Sequence, residues 1–402
     1  MNITGIIAEY NPLHSGHEHH INVTKNILKS DGIIGIMSGN FVQRGIPAMI
    51  DKWNRTKMAL LSGIDLVIEL PVIYAVSSAE FFAFGAVSLL NALGGVTNIS
   101  FGSELGEIEP LISIAKILNS EPFEFKEKLV NNINQGMSYP TARSKALIEI
   151  YSPKLPYDIN EIFKTSNNIL GIEYCKSILK LNSRINPLTI NRVGDSYNSN
   201  KIVSDFTSAT AIRKYLKQNK DISSICTYLP QSSYNIIKNL YESNYDFTFE
   251  DDILPFIKHK YFTTGNNFEI LPDVTEGIEN KIHKAIEKYN SIDDVIQNVK
   301  SKRFTYSRIS RILCQYYIGF DTLNSKLLRS QQCPYAHVLG FNNTGKSILK
   351  YLKEYTAIPI YTKLPKEINE CIRLDINATK AYSIINKNIN PYNDYLVSPI
   401  MI

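Results

Sequence analysis

Short apolar runs alternate with segments of helical spacing over the first hundred residues, and this alternation restricts the fold more than any other feature. The runs that predict strands are ITGIIAEY, GIIGIMSG, DLVIELP and TNISFGSE. The segments that predict helices are HEHHINVTKNILKS, DKWNRTKMALLSGI and SAEFFAFGAVSLLNALG. This order is typical of a parallel sheet covered by helices on both faces. We therefore predict an α/β fold that binds ligand at the carboxyl ends of its strands.

The alternation stops near residue 220, which marks a predicted domain boundary. Helical spacing dominates beyond it, and extended pieces occur only near AHVLGF and IPIYTK. We expect an α/β domain with a parallel sheet over residues 1–220 and a mainly helical, basic domain over residues 221–402.

Composition excludes several protein classes. Of 402 residues, 44% are hydrophobic and 20% charged, so a folded core is expected. The start of the chain lacks the features of a secretory signal, and no window approaches the roughly 18 apolar residues of a membrane helix. The five cysteines are odd in number and never form a C-x-x-C pair, which argues against disulfides and a zinc knuckle. We expect a cytoplasmic protein without a membrane segment, and no protein partner is predicted.

The segment from residue 300 to 353 is strongly basic. It contains a single acidic residue, Asp321, and several interleaved aromatic residues. Such a block can bind nucleic-acid phosphates and stack bases, or it can form solvated helix faces; the composition leaves both open. The basic residues are Lys300, Lys302, Arg303, Arg308, Arg311, Lys326, Arg329, Lys346, Lys350 and Lys353.

Four histidines lie within seven positions directly after the first predicted strand, in NPLHSGHEHH. Asn11-Pro12 predicts a turn, and a helix is expected to begin just after it. A helix start presents unpaired N–H groups and a positive dipole end, and both favour phosphate. Gly16 lets the backbone approach a bulky ligand. His14 and His17 can then donate hydrogen bonds to a phosphoryl group during displacement.

Two other interpretations of the histidines compete with phosphate binding. His14, His17, His19 and His20 could chelate a metal, but no carboxylate or thiol cluster at ligand spacing supports this. They could also be polar surface residues of a helix start, an interpretation that suits His19 and His20 best.

A second motif, Ser208-Ala-Thr-Ala-Ile-Arg213, lies at a later predicted helix start that Ser208 is expected to cap. H-x-G-H after a first strand, followed by an S-S-T-x-x-R type segment, resembles the signature pair of the Rossmann-like nucleotidyltransferase superfamily. Only Ala209 departs from that pattern. The resemblance implies that the first domain is a nucleotidyltransferase domain.

Further segments along most of the chain resemble the bacterial tRNA(Met) cytidine acetate ligase family. They include GIIAEYNPLHSGHEHHI, SGNFVQRGIPAMIDKWNRTKMAL, ISFGSE, SNNILGIEY, SATAIRKYL and HVLGFNNTGKSILKYL. The resemblance implies that ATP activates acetate as acetyl-adenylate. It also implies acetyl transfer to N4 of the wobble cytidine of elongator tRNA(Met), which gives N4-acetylcytidine.

The same resemblance implies roles for particular residues. His14 and His17 would contact the α- and β-phosphates, and Arg213 would offset charge on the departing pyrophosphate. Mg²⁺ is expected to accompany ATP. The expected ATP contacts are Ile7, Ala8, Glu9, Tyr10, Asn11, Pro12, Leu13, His14, Ser15, Gly16, His17, Glu18, His19, His20, Gly102, Asn167 or Asn168, Arg192, Ser208 and Thr210.

The loop SGNFVQRG and the helix start after it are rich in polar groups. One interpretation is an ordinary turn followed by a helix cap at Asp51. The other is a surface for acetyl-adenylate and cytidine, with Lys52 as a catalytic candidate. The other candidates in this segment are Asn40, Gln43, Arg44 and Arg55.

A P-loop pattern, GFNNTGKS, begins at Gly340 between a predicted strand and helix. Only 55 residues follow it, and no strand ending in a Mg²⁺-binding Asp is evident there, so a strand–turn–helix connection is the favoured interpretation. Two rival functions remain: an adenylyltransferase that makes a small nucleotide cofactor, and a non-catalytic RNA-binding protein on the same scaffold.

Overall fold

A computed structural model describes residues 1–192, 208–219, 222–265 and 267–402. All four strands predicted in the first hundred residues are formed, because each is a short, mostly buried run. The strands are β1 (Ile3–Ala8), β2 (Gly32–Ser38), β3 (Phe41–Val42), β4 (Ile46–Pro47), β5 (Leu66–Leu70), β6 (Asn98–Ser103), β7 (Asn186–Asn191), β8 (Ala336–Phe341), β9 (Ile360–Tyr361) and β10 (Ile400–Met401).

Within the described residues, eight strands form one sheet in the order β10, β8, β5, β2, β1, β6, β7, with β9 paired to β8. The five strands from β5 to β7 in that order are parallel. Strand β8 runs antiparallel to β5, and β9 and β10 run parallel to β8. A separate antiparallel hairpin, β3–β4, follows the end of β2.

Helices cover both faces of this sheet. No helix among the described residues is both long and apolar enough to cross a membrane. The helices are α1 (Ser15–Leu28), α2 (Lys52–Leu61), α3 (Val72–Ala75), α4 (Ala79–Ala92), α5 (Ile108–Ser120), α6 (Phe123–Asn134), α7 (Tyr139–Tyr151), α8 (Ile159–Phe163), α9 (Ser166–Lys180), α10 (Ala209–Asn219), α11 (Gln231–Glu242), α12 (Leu254–Thr264), α13 (Ile278–Lys288), α14 (Ile292–Val299), α15 (Tyr306–Ile318), α16 (Ser325–Leu328), α17 (Asn343–Leu352), α18 (Glu370–Ile385) and α19 (Asn393–Leu396).

The two faces of the sheet bury different apolar clusters. In β2, Ile34 and Ile36 point into the larger cluster, whereas Ile33 and Met37 point into the smaller one, as strand alternation requires. The larger cluster contains residues of α4, α5, α9, α15 and α18, and the smaller contains residues of α1, α2, α10 and α11. Burial on both faces explains why β2 and β5 are apolar almost throughout.

The second part of the chain contributes to the sheet of the first. Strands β8, β9 and β10 all lie after residue 220 and extend the sheet beyond β5. Residue 220 itself lies outside the described residues, and the boundary there stays a prediction. The extended pieces predicted near AHVLGF and IPIYTK are confirmed as β8 and β9.

Candidate active site

A cavity of about 1420 Å³ opens at the carboxyl ends of β1, β6 and β7. The predicted residues at the end of β1 reach its wall because the chain turns there into α1. The second half of the chain closes the opposite side. The wall contains Ile7, Ala8, Glu9, Tyr10, Asn11, His14, Gly16, His17, His19, His20, Gly102, Asn167, Arg192, Ser208, Thr210 and Arg213 from the predicted set.

The two motif histidines hold each other in one orientation. His14 is the N-cap of α1, and its Nδ1 accepts a hydrogen bond from the backbone N–H of Gly16 at 3.1 Å. The Nδ1 of His17 accepts from the backbone N–H of His14 at 3.3 Å, and the two rings lie 3.9 Å apart. Because each Nδ1 is an acceptor, each neutral ring carries its proton on Nε2. Both rings line the cavity, so two N–H donors are available to a ligand.

Three imidazoles of this site, those of His14, His17 and His20, are uncharged at neutral pH. Burial, aided by the charge of Arg192, lowers the pKa of His14 to about 4. Burial also lowers the pKa of His17 well below its ordinary value, with smaller contributions from His14 and Arg192. The pKa of His20 falls to about 4 for the same reasons, and its Nε2 lies 3.0 Å from the Ser100 hydroxyl. His14 and His17 are therefore neutral rings that each carry one N–H donor.

The second motif meets the first at the cavity. Ser208 caps α10 by accepting from the N–H of Ala211 at 3.3 Å, as predicted. The guanidinium of Arg213 donates to the carbonyl of Asn11 at 2.7 Å and to the hydroxyl of Thr210 at 3.1 Å. This contact joins the two motifs across 202 positions of sequence.

The β6–β7 side of the cavity is formed by Gly102, Arg192 and Asn167. A Cβ on Gly102 would lie 3.0 Å from Cγ of Arg192, so the glycine leaves room for that side chain. Arg192 is exposed on the wall beside the three buried imidazoles. Asn167 donates to Glu104 at 2.6 Å. This side can hold an anionic nucleotide against the backbone.

The opposite side is formed by the β3–β4 hairpin and the start of α15. Gln43 and Arg44 line the wall together with Thr305, Tyr306 and Ser307. The hairpin approaches α15 so closely that a Cβ on Gly45, at φ 75°, would lie 2.4 Å from the backbone nitrogen of Arg311. Residues from both halves of the chain therefore complete one cavity.

Comparison with known proteins agrees with this geometry. The family described as HIGH Nucleotidyl Transferase matches residues 1–395. The tRNA(Met) cytidine acetate ligase of Clostridium novyi is 54% identical over 400 residues, which cover 100% of this chain and 99% of that protein. The protein of the same name from Clostridium kluyveri is 53% identical over 406 residues, with 100% and 99% covered. This chain belongs to the tRNA(Met) cytidine acetate ligase family.

Solved structures of this family share the fold. The crystal structure of Thermotoga maritima TmcAL bound with alpha-thio ATP is 34% identical in sequence, with a TM-score of 0.89 over 100% of this chain and 99% of that one. The apo form of the same protein gives a TM-score of 0.90, with 34% identity and full coverage of both chains. The predicted α/β nucleotidyltransferase fold is confirmed.

Lys52, the catalytic candidate from the sequence, is buried and lies off the cavity wall. It is 1% exposed, and its ammonium lies 2.7 Å from Oε1 of Glu69 and 2.6 Å from Oδ1 of Asp394. Although burial alone would lower the pKa of Lys52, the Asp394 and Glu69 carboxylates raise it well above its ordinary value. Its charge is neutralised inside the core and away from the cavity wall.

Other residues of the predicted set are also structural. Arg55 is fully buried, and its guanidinium donates to the carbonyls of Glu9, Ser38, Gly39 and Ile50, which ties the ends of β1 and β2 together. It does not line the cavity.

Several further predicted contacts also lie off the cavity wall. Asn40 is buried and accepts from the backbone N–H of Lys52. Asn168 is buried and accepts from the N–H of Leu105, so Asn167 is the asparagine on the wall. The other residues of the first motif that lie off the wall are Pro12, Leu13, Ser15 and Glu18.

The basic block is divided by the fold. Arg311 and Arg329 pair with the two oxygens of Asp273 at 2.7 and 2.6 Å, and Arg308 donates to the Asp273 carbonyl at 3.0 Å. These arginines hold α15 and α16 to the loop before α13. Lys346, Lys350 and Lys353 lie exposed on α17. Composition had identified the charge but not these internal pairs.

The P-loop pattern does not form a phosphate-binding loop. Residues from Asn343 onward are already helical, and Asn342 caps α17 through a bond to the N–H of Gly345 at 2.9 Å. The amide of Asn342 donates to Asp65 at 2.9 Å, and a Cβ on Gly345 would lie 1.9 Å from the carbonyl oxygen of Asp65. The start of α17 is thus packed against an acidic residue.

Sequence reasoning missed most of the wall that the second half of the chain supplies. Thr305, Ser307 and Phe249 line the cavity, as do Lys214 and Lys217 of α10. Tyr306 lies on the same wall and belongs to the basic segment of residues 300–353. No local pattern points to these positions, because the fold alone brings them opposite the histidines.

Proposed function

We propose that this protein is an ATP-dependent ligase that activates acetate as acetyl-adenylate and transfers the acetyl group to N4 of the wobble cytidine of elongator tRNA(Met). The observation that carries this proposal is the pair of neutral imidazoles, each protonated on Nε2, that line a cavity also lined by Arg192 and Arg213. Family membership supports the same substrates.

In the first step, an acetate oxygen attacks the α-phosphorus of ATP and pyrophosphate leaves. Acetate is already anionic, so no protein base or nucleophile is required, and catalysis rests on positioning and charge. The Nε2–H groups of His14 and His17 donate to phosphate oxygens. Arg213, with Ser208 and Thr210 at the start of α10, stabilises the departing pyrophosphate.

Mg²⁺ is proposed to enter with ATP. Among the described residues, no group of three or more His, Cys, Asp or Glu side chains is placed to hold a metal ion. The phosphate oxygens and water are therefore its expected ligands, as is usual for Mg²⁺ bound with a nucleotide.

The two sides of the cavity suit the two halves of the intermediate. Gly102, Asn167 and Arg192 on the β6–β7 side suit the adenosine. The space between the β3–β4 hairpin and the start of α15 suits the incoming cytidine, and Tyr306, which is 37% exposed there, can stack on the base. An anticodon base is unpaired, so it can enter such a space at little cost.

Residues after 220 are proposed to carry most of the tRNA-binding surface, and the reaction is proposed to be cytoplasmic because its RNA substrate is found there. An enzyme that makes a small nucleotide cofactor would not need a wall built from that part of the chain.

Mass spectrometry of nucleosides tests the proposal. Elongator tRNA(Met) is incubated with the protein, ATP and ¹³C-acetate, and digested. We expect labelled N4-acetylcytidine, and none from a matched transcript whose wobble cytidine is replaced by uridine. Recovery of cytidine without any labelled N4-acetylcytidine from the authentic tRNA would contradict the proposal.

A further inference from the structure

The two steps of the proposed reaction differ in their need for a base. In the second step, the cytidine amine attacks the acetyl carbonyl carbon, a C–N bond forms, and the C–O bond to AMP breaks. The amine must lose one proton as this happens, because the amide product carries one hydrogen fewer on nitrogen. A side chain of the cavity wall with a free lone pair in reach of the amine would accept that proton and speed the step.

The buried histidines are poorly suited to accept that proton. The Nδ1 atoms of His14 and His17 already accept backbone hydrogen bonds, and their Nε2 atoms carry the protons. His20 is bound to Ser100 through Nε2. Each of these rings is also a weakened base, because burial lowers the pKa of all three.

Two of the three carboxylates on the described wall are also engaged. Glu104 accepts from the amide of Asn167 at 2.6 Å through one oxygen and from the N–H of Asn168 at 3.1 Å through the other. Glu250 lies 3.0 Å from the ammonium of Lys217.

The third carboxylate of the wall, Glu9, has one oxygen that is not engaged. Its Oε1 accepts from the backbone N–H of Gln43 at 2.9 Å, which fixes the carboxylate against the β3–β4 hairpin. Its Oε2 has no hydrogen-bond partner among the described residues. Burial lowers the pKa of Arg213, and the negative charge of Glu9 opposes that shift. The Glu9 carboxylate therefore lies near the guanidinium of Arg213.

The position of Glu9 beside the sheet places it on the side of the cavity proposed for the cytidine. It follows the end of β1, the strand between β2 and β6. The adenosine side lies toward β6 and β7, whereas the hairpin that holds Glu9 lies on the β2 side, where Tyr306 and Arg44 also line the wall.

We infer that Glu9 is the catalytic base of the acyl-transfer step: Oε2 takes the proton from the cytidine amine as the C–N bond forms and AMP departs. The inference rests on the proposed function and deepens it, since it assigns a group to the second step alone.

The test separates the two steps in Glu9→Gln, whose amide oxygen can still accept from the N–H of Gln43. The first step is measured without tRNA, as acetate-dependent exchange of labelled pyrophosphate into ATP. The second is measured as single-turnover formation of N4-acetylcytidine from preformed acetyl-adenylate. We expect exchange within about threefold of the unmodified protein and transfer slowed by roughly 10²- to 10³-fold. Glu9→Asp should recover part of the transfer rate.

A further variant makes the test selective. Glu250→Gln removes a carboxylate that is paired with Lys217, and it should leave both rates near the original values. Transfer at the original rate in Glu9→Gln, or equal losses in both steps, would overturn the inference. Absence of exchange in the unmodified protein would instead refute the proposed function.

Discussion

At the scale of single residues, the end of the cavity proposed to bind phosphate is set by contacts within four positions. His14 caps α1, Gly16 supplies the N–H that its ring accepts, and His17 accepts from the backbone of His14. Every atom of this arrangement lies in one turn of chain. That is why the motif could be interpreted from sequence with its chemistry intact.

The donor role of His17 leads to the first prediction. His17→Ala should slow acetate-dependent pyrophosphate exchange by about 10²- to 10³-fold, because one preorganised donor to the phosphates is lost. His17→Gln keeps an N–H donor at a similar reach and should recover a measurable part of the rate. Equal exchange in the alanine variant and the unmodified protein would show that the ring does not contact the phosphates.

The buried imidazoles also predict how stability depends on pH. The pKa of His14 in the folded protein is about 4, against an ordinary value of 6.5. The unfolded chain therefore binds more protons between these values, and folding loses stability as pH falls from 6.5 to 4. The loss from His14 should be on the order of 3 kcal/mol.

Urea unfolding at a series of pH values measures this loss. His14→Gln should have a shallower fall in unfolding free energy over that range than the unmodified protein. Identical pH dependence in the two proteins would contradict the buried, neutral state of the ring.

At the scale of elements, helix starts with similar sequences have different surroundings. The start of α1 faces the cavity, whereas the start of α17 is packed against Asp65. Both segments contain the glycines and polar groups expected of a phosphate site. The difference lies in which strand passes beside the helix, and that is a property of the sheet.

Lys346 of the P-loop pattern tests this distinction. It is exposed near the start of α17, outside the cavity wall. Lys346→Ala should leave the rate of acetate-dependent exchange within about twofold, because no phosphate is bound at α17. A loss of tenfold or more would indicate that α17 takes part in ATP binding.

The first turn of α2 is stabilised by a buried charge. Lys52→Met should reduce the free energy of unfolding by about 3 to 5 kcal/mol, because Asp394 would stay buried without its cation and Glu69 would keep only His337. Lys57→Met, at an exposed position of the same helix, is the matched control and should change it by less than about 0.5 kcal/mol. Equal unfolding free energies for the two variants in urea would contradict the buried ion pair.

At the scale of the whole molecule, the sheet joins the two ends of the chain. Strand β8 covers the edge of β5, and Asp394 near the carboxyl end pairs with Lys52. A fragment of residues 1–220 would expose the apolar edge of β5, so we expect it to aggregate or remain unfolded. Circular dichroism and gel filtration of that fragment measure the outcome. A soluble, cooperatively folding fragment would support an autonomous first domain.

The sequence predicted features that depend on neighbouring residues and missed contacts between segments far apart in the chain. The four early strands follow from buried apolar runs, and the two motifs follow from residue types at helix starts. The ion pair of Lys52 was not foreseen because Asp394 lies 342 positions away, and Tyr306 was not placed because α15 meets the hairpin only in the folded chain. Contacts between distant segments leave no pattern in a single sequence.

The attack of acetate on the α-phosphorus is the central claim, and ¹⁸O-labelled acetate tests it most directly. The protein, ATP, elongator tRNA(Met) and doubly labelled acetate are incubated, and AMP is recovered for mass spectrometry. We expect AMP to carry one ¹⁸O atom, because the acetate oxygen bonded to phosphorus stays there when the amine takes the acetyl group. Unlabelled AMP, or ADP as the nucleotide product, would contradict the account.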